Sequence, residues 1–280
     1  MKELHSYTIR LAGGRLFSLD SPQVMGILNV TPDSFYAGSR QQGEEEIGKR
    51  VRQIANEGAS MLDIGAYSSR PGADDVPIEE EMARLRRGLT IVKREAPDLV
   101  VSVDTFRADV ARMCIEEFGI DIINDISGGQ YDPNMFPTAA KTQLPYILTH
   151  GNSTYETMHE KEDYQDIILA LNQFFSKKTA ELLDLGVKDI ILDPGFGFGK
   201  TIENQNQMME ELEHISFGKY PILVGISRKS FIYKPLGKSP HDINEETQQL
   251  HLKMLKKGAK ILRVHDVAEA QRTLQNFLLL

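Results

Sequence analysis

Eight times along the chain a run of apolar, largely β-branched residues carries or ends in a side chain that can hydrogen-bond or hold charge. The runs are VMGILN ending at Asn29, SMLDIG with Asp63, LVVSVD ending at Asp104, DIIND at Asn124 and Asp125, YILTH at His150, DIILD at Asp193, ILVGIS at Ser227 and Arg228, and ILRVH at Arg263 and His265. Seven of the intervals hold a helix-length stretch, and the pattern repeats strand then helix eight times. This predicts an α/β fold, the (β/α)8 TIM barrel. Helices are expected at about 43–57, 78–96, 107–118, 133–143, 161–185, 202–216, 242–257 and 266–278. Asp132-Pro133, Asp242 and Asp266 offer N-caps, and Gly58, Gly119, Gly186 and Gly258 offer left-handed stops. Ahead of the first barrel strand, SYTIRLAGGRLFSLD alternates around Ala12-Gly13-Gly14, which predicts a β-hairpin plugging the amino-terminal end of the barrel. The whole chain, 1–280, reads as a single domain, with 1–22 as the hairpin extension. In such a barrel the carboxyl ends of all strands meet on one face, so the polar strand ends are the candidate site.

Composition narrows the class. The chain has 280 residues, 41% hydrophobic and 26% charged, with a formal charge of -8, which argues against general affinity for nucleic acid or an anionic membrane. An anionic substrate then has to be met by locally placed bases. Cys114 is the only cysteine, so no intramolecular disulfide is available and a reducing cytoplasm fits. The start MKELHSYTIR lacks an apolar leader, and no apolar run approaches a bilayer-spanning length.

The segment Asp193–Lys200, DPGFGFGK, follows a strand-ending carboxylate with three glycines, which lets backbone approach a flat ligand that Phe196 or Phe198 can cover. A phosphate cradle is the alternative, although the spacing is not that of a nucleotide P-loop. Asp104, Asn124 and Asp193, joined by Lys229 of SRKS, make a set of donors and acceptors suited to a nitrogen-rich heterocycle with an aminopyrimidinone edge. A hard cation is the rival occupant, opposed by the nearby lysine. Arg263 and His265 lie two residues apart and face the same side of their strand. With Asn29, Ser69 and Arg70 they make an anion site on the rim, where the Asn29 amide can also ligate Mg²⁺. Two loops rich in Gly, Pro and Ser, TPDSFYAGSRQQG and YSSRPGADDVP, are lid candidates.

These residues together resemble the dihydropteroate synthase family, from about Gln23 to the end. The likeness rests on NVTPDSF (29–35), SRPGA (69–73), VDT (103–105), NDISGG (124–129), DPGFGFGK (193–200), SRKS (227–230) and RVHDV (263–267). The resemblance implies joining 6-hydroxymethyl-7,8-dihydropterin diphosphate to 4-aminobenzoate with release of pyrophosphate. It implies that Asp104, Asn124, Asp193 and Lys229 hold the pterin, with Arg263 stacked on it and Phe198 nearby. Asn29, Ser69, Arg70, Arg263 and His265 are implied to hold the diphosphate, with Mg²⁺ beside Asn29. Phe35 and Pro71 would enclose the aminobenzoate ring and Ser230 would meet its carboxylate. Asp104, Lys229 and Arg263 are the catalytic candidates, the partners are these small molecules, and a homodimer is expected. The chain departs from the family at Tyr67, where an acid is usual, and at Thr149–Ser153, where MHMQG is usual, so no pterin contact is carried onto Thr149. Two rivals remain: a pterin-binding methyltransferase module, and a relative that binds pterin without turnover.

Overall fold

The computed structural model describes residues 6–31, 40–67, 75–155, 157–158, 160–162 and 164–280, with side chains left aside at 40 and 41. Strands β1 (Thr8–Arg10) and β2 (Leu16–Ser18) pair antiparallel, Ile9 opposite Phe17, around a turn at Ala12–Gly14. This is the expected hairpin. The chain then alternates β3 (Gln23–Asn29), α1 (Arg40–Asn56), β4 (Met61–Gly65), α2 (Ile78–Glu95), β5 (Val100–Asp104), α3 (Ala108–Phe118), β6 (Ile122–Asp125), α4 (Met135–Thr142), β7 (Tyr146–Thr149), α5 (Ile167–Asp184), β8 (Ile190–Asp193), α6 (Ile202–Glu210) and β9 (Leu223–Val224). It ends with α7 (Ser230–Tyr233), α8 (Asn244–Lys256), β10 (Ile261–Val264) and α9 (Val267–Leu278).

Strands β3 to β10, eight among the described residues, form one parallel sheet in the order β8-β7-β6-β5-β4-β3-β10-β9. A backbone bond from Leu192 N to Pro221 O (2.9 Å) and a bridge between Leu192 and Ile222 bring the two edges together. The result is a nearly closed barrel with helices around it, as the sequence predicts.

The period-two alternation of the strands decides what faces where. Val24, Leu28, Leu62, Ile64, Val101 and Val103 point outward into the layer shared with the helices. Gly26 belongs to that outer register, where a Cβ would stand 2.6 Å from Ile54 Cγ2, so the bare backbone lets α1 sit close. Met25, Met61, Val100, Ile122, Ile147, Ile191, Leu223 and Ile261, one from each barrel strand, point inward and form a separate apolar cluster with Ile9, Leu11 and Leu19 of the hairpin segment. That cluster is the plugged floor of the barrel. Each such side chain contributes about 1.5–3 kcal/mol by leaving water.

Several local expectations need correction. Helix α5 begins at Ile167 rather than 161, because Glu162 N bonds Gly199 O (2.9 Å) and the preceding segment lies along the glycine-rich loop. Asp166, not foreseen, caps α5 by accepting from Leu169 N (3.0 Å). Helix α6 stops at Glu210 and gives way to 3-10 turns. Asp132 accepts from Asn134 N (2.9 Å), in the turn leading into α4, through one oxygen and from Ala108 N (2.8 Å), the start of α3, through the other, whereas Asp266 is taken up by Arg228 (2.7 Å) and does not cap the helix it precedes. Asp242 likewise accepts from Ser239 instead of capping α8. Gly58, Gly119, Gly186 and Gly258 do end helices with positive φ. Strand β9 ends at Val224, short of Ser227, since Lys229 N turns back to Ile226 O and Arg228 sits at φ 58°.

Candidate active site

Above the floor the inward register changes character within two residues. The side chains following the floor ring on their strands include Asp63, Ser102, Asn124, Thr149, Asp193 and Arg263. They form a cup whose walls are strands and whose base is hydrocarbon. Asp104 pairs in register with Asn124, and Thr149 with Asp193. One strand, β7, separates Asn124 from Asp193, and the two are staggered by two residues, since Asn124 pairs with Ile147 and Asp193 with Thr149.

Arg263 joins one half of the cup. Its Nε donates to Asp63 Oδ2 at 2.6 Å and its Nη2 donates to Asp104 Oδ2 at 2.6 Å. Asn124 Nδ2 donates to the same Asp63 oxygen at 2.9 Å. Burial opposes the charge on Arg263, yet Asp63 and Asp104 hold it above the ordinary arginine range. Burial pushes Asp104 up to about 7, with Arg263 pulling it down and Asp63 pushing it further up. Asp63 was read from the sequence as the polar member of its run but given no role, because it lies inside that run rather than at its end. The available signal was a carboxylate in an inward position of a central strand.

Lys229 and Asp193 make the other half. Burial and Arg263 bring Lys229 down to about 8, while Asp193 and Asp104 oppose the shift. Asp193 is raised by burial and lowered by the Gly195 amide, which donates to its Oδ1 at 2.8 Å, and by Lys229. The Lys229 ammonium stands 4.3 Å from the centre of the Phe198 ring. Gly197 makes this possible: its φ is +83° and a Cβ there would come within 2.9 Å of the Lys229 stem. Phe196 is buried against Phe231 and belongs to the core, so Phe198 alone of the two faces this half.

The glycine-rich loop is not a phosphate cradle. Gly195 N is bound to Asp193, Gly197 N to Gln205 Oε1 (3.2 Å) and Phe198 N to Gly195 O (3.1 Å). Lys200 is buried and donates to the carbonyls of His150 (3.2 Å), Gly195 (3.0 Å) and Phe198 (3.0 Å). It braces the turn from inside.

On the rim, the Ser227 hydroxyl lies 3.1 Å from His265 Nδ1 and accepts from His265 N at 3.2 Å. Burial, then Arg228 and Arg263, depress His265 to about 3, so the ring is neutral and offers hydrogen bonds rather than charge. Asn29 closes β3, partly buried, and faces the same mouth. Ser230 is exposed at the start of α7. Phe35, Ser69, Arg70 and Pro71 lie outside the described residues. Among the described residues no cluster of three or more His, Cys, Asp or Glu side chains could hold a metal ion. A single amide at Asn29 fits only a cation that takes most of its oxygens from a bound ligand and water.

Other polar strand ends serve the frame. Asp125 points outward and accepts from Ser127 N (2.8 Å), Gly129 N (2.7 Å) and the Tyr146 hydroxyl, fixing the loop after β6. His150 packs edge-on against Phe174, ring centres 4.9 Å apart. Buried Glu81 accepts from Thr105 Oγ1 (2.7 Å) and Arg107 Nη1 (2.8 Å), which buttresses the turn after Asp104. Tyr67 donates its hydroxyl to Asp75 (2.6 Å) and packs on Phe106 and Tyr155. Inside the cup Asp63 Oδ1, Ser102 Oγ and Thr149 Oγ1 are buried without a hydrogen-bond partner, the unmet capacity that a polar heterocycle can use.

Known proteins match this arrangement. The family model described as pterin binding enzyme matches residues 25–265. The dihydropteroate synthase of Synechocystis sp. is 39% identical over 87% of this chain and 85% of its own length. The dihydropteroate synthase of Xanthomonas albilineans, solved with 4-aminobenzoic acid, superposes with a TM-score of 0.88 at 33% identity over 98% of each chain. The enzyme from the same organism in complex with 7,8-dihydropteroate gives 0.86 at 30% identity, again over 98% of each. By sequence over most of its length, by fold and by the chemistry gathered at its strand ends, the chain belongs to the dihydropteroate synthase family of pterin binding enzymes.

Proposed function

We propose that the cup binds 6-hydroxymethyl-7,8-dihydropterin diphosphate and transfers its pterinylmethyl group to 4-aminobenzoate, releasing pyrophosphate and giving 7,8-dihydropteroate. The observation that carries this reading is one pocket in which Asp104, Asn124, Asp193, Lys229 and Arg263 converge above a closed apolar floor, in a chain whose relatives act as dihydropteroate synthases.

In this reading Asp104, Asn124, Asp193 and Lys229 meet the heteroatoms of the pterin, Arg263 lies on its face and Phe198 borders it. Asn29, Ser69, Arg70, Arg263 and His265 hold the diphosphate. Phe35 and Pro71 enclose the aminobenzoate ring, and Ser230 meets its carboxylate. As the C–O bond breaks, the dihydropterin ring supplies electron density and positive charge develops at the exocyclic carbon. Asp104 offsets that charge, while Arg263 and Arg70 stabilise the departing diphosphate and His265 donates to it as a neutral ring. Mg²⁺, held beside Asn29 by the diphosphate, adds charge neutralisation when bound. The arylamine attacks from the mouth, and no side-chain nucleophile takes part. The setting we propose is one domain of a cytoplasmic homodimer. No helix among the described residues is long and apolar enough to cross a membrane.

The deciding assay supplies the pterin diphosphate, 4-aminobenzoate and Mg²⁺ together and singly. Pyrophosphate release that needs all three is the expected result. Binding of pterin without release would favour a silent paralogue, and demand for a folate and a corrinoid partner would favour a methyltransferase.

A further inference from the structure

We propose that Asp63 is a positioning residue that sets the hydrogen-bonding polarity of the cup. It occupies the inward register of β4 between Met61 of the floor and Gly65, and its side chain is fully buried. From there a single oxygen, Oδ2, receives Arg263 Nε (2.6 Å) from β10 and Asn124 Nδ2 (2.9 Å) from β6. Neither donor sits on a strand adjacent to β4, since β3 and β5 lie between. The carboxylate therefore ties together three strands that the sheet itself does not pair.

Two consequences follow from donor and acceptor chemistry. A primary amide is nearly symmetric in shape, so its neighbours decide which end faces a ligand. With Nδ2 committed to Asp63, Asn124 presents its oxygen elsewhere and meets a ligand as an acceptor of N–H. Arg263 is held through Nε by Asp63 and through Nη2 by Asp104, and two bonds on a planar group fix its plane. That plane is the surface on which a flat ring stacks. Both partners of Asp63 Oδ2 are donors, so an amide at position 63 can satisfy both only with its oxygen alone and without the charge. The bare Gly65 is part of the same construction: a Cβ there would lie 3.3 Å from Asp104 Cβ, in the layer above Asp63.

The inference rests on pterin as the ligand. Affinity is measured for 6-hydroxymethylpterin, and kcat and KM by pyrophosphate release. Asp63→Asn is expected to weaken pterin binding about 30-fold or more, the scale of charge-assisted bonds lost at two partners. KM for 4-aminobenzoate is expected to change less than about threefold because that ring lies nearer the mouth. The reciprocal pair, Asp63→Asn with Asn124→Asp, restores a donor opposite an acceptor and is expected to recover about tenfold of the loss. Wild-type affinity in Asp63→Asn, or a pair no better than the product of its single changes, overturns the proposal. Asn124→Asp alone gives a decision even where Asp63→Asn does not fold. It opposes two carboxylates, so binding is expected to fall at neutral pH and to recover as the introduced acid is protonated; a loss that pH does not reverse overturns the idea. If the wild-type protein itself binds no pterin, the functional reading fails instead, so the two failures are distinct.

Discussion

The two ends of the same eight strands are built from opposite materials. At the amino-terminal end Met25, Met61, Val100, Ile122, Ile147, Ile191, Leu223 and Ile261 close on the hairpin as hydrocarbon, while one inward step further Asp63, Ser102, Asn124, Thr149, Asp193 and Arg263 bring polar groups and charge. A step of two residues is about 6–7 Å along a strand. Over that distance the molecule passes from a region organised to stay folded to one that is kept under electrostatic load. Burial pushes Asp104 and Asp193 up and Lys229 down, all against the charges they carry. The floor and the outer helical layer offset that load, so stability and ligand recognition should respond separately to substitution.

The sharpest break of this contrast is to exchange the materials. Ile147→Asp at the floor puts a carboxylate among apolar side chains and is expected to cost about 4 kcal/mol or more; soluble yield and thermal melting report it, and a near-wild-type Tm would remove the floor from the account. Lys229→Ala in the cup is expected to cut pterin affinity about 100-fold by leaving Asp193 without its ammonium neighbour. Calorimetry measures that loss; unchanged affinity would contradict the assignment. Met61→Ala at the floor is expected to remove about 2–4 kcal/mol of stability and leave KM for the pterin diphosphate within about twofold.

A further test is a pH dependence of the free protein. Asp104 has a folded-state pKa of about 7 against an ordinary 3.8, so the folded form binds the proton more tightly than the unfolded form. Its contribution is fully present below the ordinary carboxylate range and is lost as the pH rises through about 7. Replacing Asp104 with Asn should flatten that part of the stability profile. Denaturant titrations at a series of pH values, compared between the two proteins, test it, and parallel profiles would count against a shifted Asp104.

The barrel was legible because its strands repeat a strong signal eight times, and the hairpin because its alternation surrounds a glycine turn. Asp104, Asn124, Asp193, Lys229 and Arg263 were legible because they stand at or just beyond strand ends, where the fold gathers side chains. The role of Asp63 was not legible because it depends on Arg263 and Asn124, which are distant in sequence and reach it only through closure of the barrel. The caps failed for a related reason. Asp242 and Asp266 have the right local chemistry, yet Ser239 and Arg228 claim them, while Asp132 meets Asn134 N ahead of its own helix and Ala108 N of another. Lys200 ends the segment whose alternative reading was a phosphate cradle, and the carbonyls of His150, Gly195 and Phe198 turn it into an internal strut.

The hairpin that seals the floor has a kinetic implication. A barrel stoppered at one end is a blind well, with every molecule entering and leaving through the same opening. Whatever rests at the bottom must arrive before the well is topped, and a joined product spanning both levels can only withdraw upward past the mouth. With the pterin placed at the bottom as proposed above, the bicyclic substrate is expected to load ahead of the arylamine, which initial-rate kinetics with both substrates varied would show as an ordered pattern.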